Sequence, residues 1–345
     1  MVDVLLQYGL FLAKVVTIIV ALGVLIATIF SFSHKAKHED KLEVKNLNEK
    51  FRHMTLAMKR SIFSKKEFKK ELKAEKLRLK EEKKKTVPEG KEQKKRIFVI
   101  NFHGDIKATA VASLREEVTA ILSLATPKDE VLLRLENAGG LVHEHGLAAS
   151  QLQRIRTRGI ALTIAVDKVA ASGGYMMACV GNRVIAAPFA VLGSIGVLAQ
   201  LPNFNRLLKQ KGIDFELIKA GELKRTLTLF GENTDQDRAR FKEQIEDTHS
   251  LFKDFVAENR PSLDIDKVAS GDHWFGKRAL DLKLVDELQT SDDYLLLAGK
   301  EADLYEVTYS AGKSITEKLA SVIEHSADRL LLSWWQRSRE QQFFT

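Results

Sequence analysis

Residues 130–167 read EVLLRLENAGGLVHEHGLAASQLQRIRTRGIALTIAVD, and the order of patterns in this stretch decides the fold. A nearly unbroken apolar run, Glu130 to Glu136, leads into the turn Asn137-Ala138-Gly139-Gly140. Helical spacing follows from His143 to Arg158, and a second apolar run spans Ile160 to Asp167. Short apolar runs of this kind read as strands buried on both faces. Two of them bracketing a helix form a crossover unit, which is right-handed and leaves its strands parallel. The alternation continues outward: Ile97 to Phe102 is strand-like, Ala108 to Ala125 helical, a helix starts at Ser172, and Arg183 to Ala187 is another strand. The expectation is an α/β fold with helices on both faces of a sheet. Asp214 to Ala220 (DFELIKA) reads as one more strand, and Asp235 to Arg260 as a long amphipathic helix ended by Pro261.

The chain has 345 residues and a net charge of +8, but residues 35–97 alone carry +12 and the remainder −4. The basic excess therefore belongs to one segment and directly follows an apolar run, so an anionic lipid surface fits it better than nucleic acid. That run, Val15 to Phe32, is eighteen residues without a charge, long enough to cross a hydrocarbon layer about 30 Å thick as a helix. The start Met1-Val2-Asp3 has no basic residue, unlike a cleaved signal peptide, so a retained anchor is expected. Counting Lys and Arg near the helix puts the bulk of the chain in the cytoplasm. The expected organisation is an anchor at 1–33, a basic charged helical stalk at 34–95 acting as linker, a core at 96–290, and a C-terminal region at 291–345. The last carries an amphipathic stripe over Ser314 to Ser338 that suits a docked or membrane-surface helix.

Two glycine turns sit where sites form in open α/β sheets, at the carboxyl ends of strands: Asn137-Ala138-Gly139-Gly140 and Ser172-Gly173-Gly174. Backbone N–H groups there suit an oxyanion, and neither turn matches a dinucleotide or phosphate-loop pattern. Ser172 stands where a strand turns into a helix, a position that also suits a plain helix cap. As a nucleophile it requires a base. His143 and His145 are candidates near the first turn, and no histidine lies between His145 and His249. Lys224, in Ala220-Gly221-Glu222-Leu223-Lys224, is the other candidate, provided burial shifts it toward its neutral form, since a free lysine has a pKa near 10.4. The single cysteine, Cys179, excludes an internal disulfide and a cysteine metal site, and its neighbours Met176, Met177 and Val180 mark it as core. The apolar stretch Ala186 to Leu201, with Pro188, Gly193 and Gly196, reads as core rather than a second span.

Together with Gly193-Ser194-Ile195-Gly196-Val197, Ala269-Ser270-Gly271-Asp272-His273-Trp274-Phe275-Gly276 and Leu284-Val285-Asp286-Glu287, these motifs make the sequence resemble the S49 serine peptidases, the signal peptide peptidase A group, over about residues 97–290. The resemblance implies a crotonase- or Clp-like fold, peptide substrates, a Ser-Lys dyad without metal or organic cofactor, self-assembly into a homo-oligomer, and a place at the cell inner membrane, with the catalytic domain periplasmic. Carried over by position, Ser172 is the nucleophile, Lys224 the general base, and the N–H of Gly173 with one from Gly139 or Gly140 forms the oxyanion hole. Three departures stand out: Asn137-Ala138 in place of Ser-Pro, Leu223 in place of a Tyr, and Lys283 in place of a Gly. Two other functions are compatible with the turns and the anchor: an acyl-CoA enzyme on the same fold, and an inactive membrane scaffold.

Overall fold

The computed structural model describes residues 11, 12, 14–21, 23, 41–85, 94–221, 224 and 227–311. The chain divides into two units, one of residues 42–309 and one of residues 1–41 with 310–345. In the second, residues 14–21 are helical, with Val16, Ile18, Ile19 and Val20 exposed. Among the described residues no helix is long and apolar enough to cross a membrane. Most of the expected span Val15 to Phe32, and the amphipathic tail over 314–338, lie outside the described residues.

The larger unit is built on a seven-stranded sheet. Its strands are β1 (Lys41–Asn46), β2 (Arg96–His103), β3 (Glu130–Glu136), β4 (Ala161–Val166), β6 (Arg183–Ala186), β9 (Glu287–Leu288) and β10 (Asp303–Ser310), in the order β1-β10-β2-β3-β4-β6-β9. Every pairing from β10 through to β9 is parallel. The period-2 alternation of the strands sorts their side chains onto two cores. Phe98, Ile100 and Phe102 of β2 and Val131, Leu133 and Leu135 of β3 face the larger one. It is closed by helices α3 (Val111–Leu122), α4 (Val142–Thr157) and α7 (Asp235–Asn259) through Leu114, Val118, Leu152, Ile155, Phe252 and Val256. Ile97, Val99 and Leu132 face the smaller core, which Leu47 of α1 (Leu47–Ile62) and Leu295 of α10 (Ser291–Ala298) close.

Three expectations are corrected here. The basic segment is a linker only in part: α2 (Lys65–Lys85) is a charged helix whose described side chains are mostly exposed, but Leu47 is buried and Asn48 bonds Gly299 O, Ala302 O and the Leu304 N–H. The core also does not end at 290, because β10 lies inside the sheet beside β2. Asp214 to Ala220 is not a strand; it runs exposed without a strand partner, and an alternating sequence with no neighbour to bond has no sheet to join.

A second, three-stranded sheet sets the geometry of the site. It consists of β5 (Val169–Ala171), β7 (Val191–Gly193) and β8 (His273–Phe275), in the order β5-β7-β8. A bridge between Asn137 and Ala170 joins it to the end of β3. The two glycine turns, 35 positions apart, therefore meet at one edge.

Candidate active site

Ser172 follows β5 and precedes the short helix α5 (Gly173–Ala178). Its backbone sits at φ 53°, ψ −121°, a region that costs a residue with a Cβ roughly 1–3 kcal/mol. The surroundings hold it there. The Ser172 N–H donates to Gly193 O at 2.8 Å, and its carbonyl accepts from Tyr175 N at 2.9 Å and Met176 N at 3.0 Å. The side chain is half-buried, and its hydroxyl makes no hydrogen bond with a described residue. A sharp turn that leaves a hydroxyl unengaged is what a nucleophile needs.

Around that hydroxyl, the first turn packs at van der Waals distance. A Cβ on Gly139, which has φ +92°, would lie 2.7 Å from Ser172 Cβ, 2.8 Å from Ala171 O and 2.9 Å from Gly173 N. Only glycine fits so close to the turn. The turn is anchored by Asn137, 1% exposed. Its N–H donates to Val169 O at 2.9 Å, its carbonyl accepts from Ala171 N at 3.0 Å, and its Oδ1 accepts from Gly139 N at 2.8 Å. The Gly139 N–H is thus occupied. The Gly140 N–H makes no hydrogen bond with a described residue, and the Gly173 N–H, first in its helix, has no intrahelical acceptor.

The histidines do not reach the serine. His143 is exposed, with Glu144 at 3.7 Å. His145 is fully buried, Nδ1 lying 2.9 Å from Leu141 O and Nε2 3.2 Å from Asn137 Oδ1. Lys224 is exposed; its backbone N–H donates to Gly221 O at 3.1 Å, and its ammonium makes no hydrogen bond or ion pair with a described residue. Within one chain Ser172 and Lys224 are not in hydrogen-bond contact. Lys224 belongs to a segment, about 198–233, in which Leu198, Leu207, Ile213 and Ile218 are 80, 51, 52 and 94% exposed. This segment is ordered locally by Phe230, whose ring centroid lies 6.1 Å from Phe204 and 5.8 Å from Phe215.

The later motifs turn out to be supports. Asp272 O accepts from Ser194 N at 2.7 Å, and Trp274 packs on Gly193, so β8 backs the strand that holds Ser172. Tyr175, three residues beyond Ser172, donates its hydroxyl to Leu284 O at 2.9 Å. Asp286 pairs with the buried Arg260 at 2.7 and 2.8 Å. Cys179 is buried, and burial pushes its thiol up to about 12, so it stays protonated and inert. Among the described residues no cluster of His, Cys, Asp and Glu could hold a metal ion. Sequence reasoning missed the side chain of Asn137. Its signal was an Asn placed two residues before a glycine N–H, the pattern of an Asx turn.

Two family models cover nearly the whole chain: Peptidase family S49 N-terminal matches residues 3–152 and Peptidase family S49 matches residues 154–305. The chain belongs to peptidase family S49. Among curated S49 relatives, a protein named Probable protease SohB from Haemophilus influenzae is 46% identical over 337 residues, covering 95% of this chain and 96% of the relative. Another of that name, from Buchnera aphidicola subsp. Schlechtendalia chinensis, is 47% identical over 306 residues, covering 85% of this chain and 99% of the relative. Among solved structures, a membrane-bound stomatin-specific protease variant in complex with a substrate peptide aligns with a TM-score of 0.44 at 14% identity, covering 67% of this chain and 99% of that one.

Proposed function

We propose that this S49 protease is a membrane-anchored serine endopeptidase in which Ser172 is the nucleophile and Lys224 the general base. The observation that carries the reading is the Ser172 turn itself: a strained serine, packed against Gly139, whose hydroxyl lacks a hydrogen-bond partner among the described residues, as do the N–H groups of Gly140 and Gly173, next in sequence to Gly139 and Ser172. Ser172 Oγ attacks the scissile carbonyl carbon while its proton passes to a neutral Lys224 amine. The carbonyl oxygen, now an anion, receives the Gly140 and Gly173 N–H groups. Collapse of this intermediate breaks the C–N bond, and the lysine returns the proton to the leaving amine. Water, deprotonated by the same lysine, then releases the acyl group and regenerates the serine.

Lysine accepts a proton at neutral pH only where water is excluded from it. Lys224 is exposed in the single chain and carried on a segment rich in exposed apolar side chains. Self-assembly that buries this segment supplies the desolvation and brings a lysine to a serine, the second partner being another copy of the chain. The test is complementation. Ser172→Ala and Lys224→Ala proteins are each inactive on fluorescent casein and unlabelled by a fluorophosphonate, whereas oligomers re-formed from a mixture of the two regain activity. A Ser172→Ala protein that still hydrolyses casein refutes the serine assignment, and mixtures that stay silent refute the shared site. Membrane anchoring rests on Val15 to Phe32: the full chain is expected in the membrane pellet, and a chain lacking residues 1–40 in the supernatant.

A further inference from the structure

Asn137 and His145 take no part in the steps above, yet both are buried against the groups that do. Asn137 Oδ1 accepts the Gly139 N–H at 2.8 Å. This bond fixes the direction of the Gly139 amide and so aims the next peptide, whose N–H is that of Gly140. Accepting from Gly139 also identifies the amide atom as oxygen, and Leu141 O is likewise only an acceptor, so His145 hydrogen-bonds both, at 3.2 Å through Nε2 and 2.9 Å through Nδ1, only with a proton on each ring nitrogen. Asn137 Nδ2 is held by Met177 Sδ at 3.4 Å, which prevents the amide from turning over. The His145 ring is wedged in its turn: Nδ1 lies 2.9 Å from Leu141 O, and a Cβ on Gly173 would fall 2.5 Å from the imidazole Cγ. One side chain thereby touches both halves of the anion site, the strap 139–140 through Asn137 and Gly173 by direct packing.

We infer that Asn137 and His145 are positioning residues of the oxyanion hole. His145 donates Nε2–H to Asn137, and Asn137 orients Gly139 so that the Gly140 and Gly173 N–H groups converge on one point. The inference rests on the serine-protease reading above and deepens it. Neither residue touches substrate, so their loss acts on the transition state, where the anion exists, rather than on binding.

The full-length assembled protein is assayed with an internally quenched peptide that the wild type cleaves, with a fluorophosphonate, and by amide exchange over residues 137–141. His145→Phe keeps the ring volume without the donor; His145→Gln restores an N–H. Expected are a kcat reduced roughly 10²-fold in His145→Phe and Asn137→Ala, KM within about threefold, recovery of about tenfold in His145→Gln, and faster exchange of the 137–141 peptide in the first two. Wild-type kcat in His145→Phe, a loss confined to KM, or no recovery in His145→Gln overturns the inference. Should His145→Phe fail to fold, Asn137→Ala carries the same comparison. Failure of the serine reading is separately visible as a wild type that takes no fluorophosphonate. The exchange experiment still decides the positioning claim in that case, since unchanged exchange in both variants overturns it.

Discussion

Gly139→Ala tests the architecture of the site with a single methyl group. At φ +92° an alanine pays about 1–2 kcal/mol of backbone strain. Its Cβ would also press on Ser172 Cβ, Ala171 O and Gly173 N at 2.7, 2.8 and 2.9 Å. All three belong to or adjoin the pinned turn, so no flexible side chain can yield. Restoring ordinary contact at about 3.5 Å or more displaces the strap by close to 1 Å. A displacement of that size costs on the order of 10²-fold in rate, and a lost oxyanion donor costs 10²–10³-fold, or ~3–4 kcal/mol. The assay is peptide hydrolysis and fluorophosphonate labelling of the assembled protein, with a melting curve alongside. The expected result is a kcat down at least ~10²-fold with a Tm lowered by roughly 4–8 °C, as about 2 kcal/mol implies for a domain of this size. Gly159→Ala is the control. At φ +70° it pays the strain, but its nearest neighbour would be Pro127 Cγ at 4.0 Å, so it melts earlier and cleaves normally. A Gly139→Ala protein with half the wild-type rate or more would refute the placement of the strap against the nucleophile.

Other consequences are independent of catalysis. Burial alone would raise the Asp129 carboxyl, but hydrogen bonds from Arg96 and Thr126 outweigh it and hold it at about 2. A carboxyl depressed in the folded state stabilises above its unfolded value near 3.9 and loses that contribution as pH falls through about 2. The effect is on the order of 2 kcal/mol, and Asp129→Asn should flatten the urea-derived stability between about pH 4.5 and 2. Arg260 is 6% exposed and its Nε has no partner. Asp286→Ala therefore strands a buried charge and should lower stability by about 3 kcal/mol in denaturant titration. Cys179 should resist iodoacetamide in the native protein and react once it is unfolded, as a buried thiol held at about 12 requires.

The long elements were legible because their patterns are long. Val131 and Leu133 against Leu132, or Leu114 and Val118 one helical turn apart, repeat often enough to reveal a period. The strands that build the site are not: β5, β7 and β8 have three residues each, too short for any alternation to register. Asp214 to Ala220 had the pattern of a strand and lacked a neighbour, something no local reading detects. Leu47 and Asn48 sit in a stretch so charged that their burial is invisible without β10, more than 250 positions away. Ser172 and the glycines could be chosen from the turns alone. The distinction between Gly139 and Gly140 could not, because it depends on where one Asn side chain points. Lys224 could be named as a candidate base from the sequence but preferred over an exposed charge only through the family resemblance, and in the isolated chain its surroundings remain open to water.

The seat of Ser172 is assembled from parts made at very different times. Its N–H rests on Gly193, the strand bearing Gly193 is flanked by His273–Phe275, and the Tyr175 hydroxyl is tied to Leu284. Synthesis proceeds from the amino end, so the ribosome releases Ser172 about a hundred residues before the last of the pieces that shape its turn. A polypeptide interrupted anywhere in that interval carries Ser172 but not the strand and the tether that keep its turn in the strained geometry.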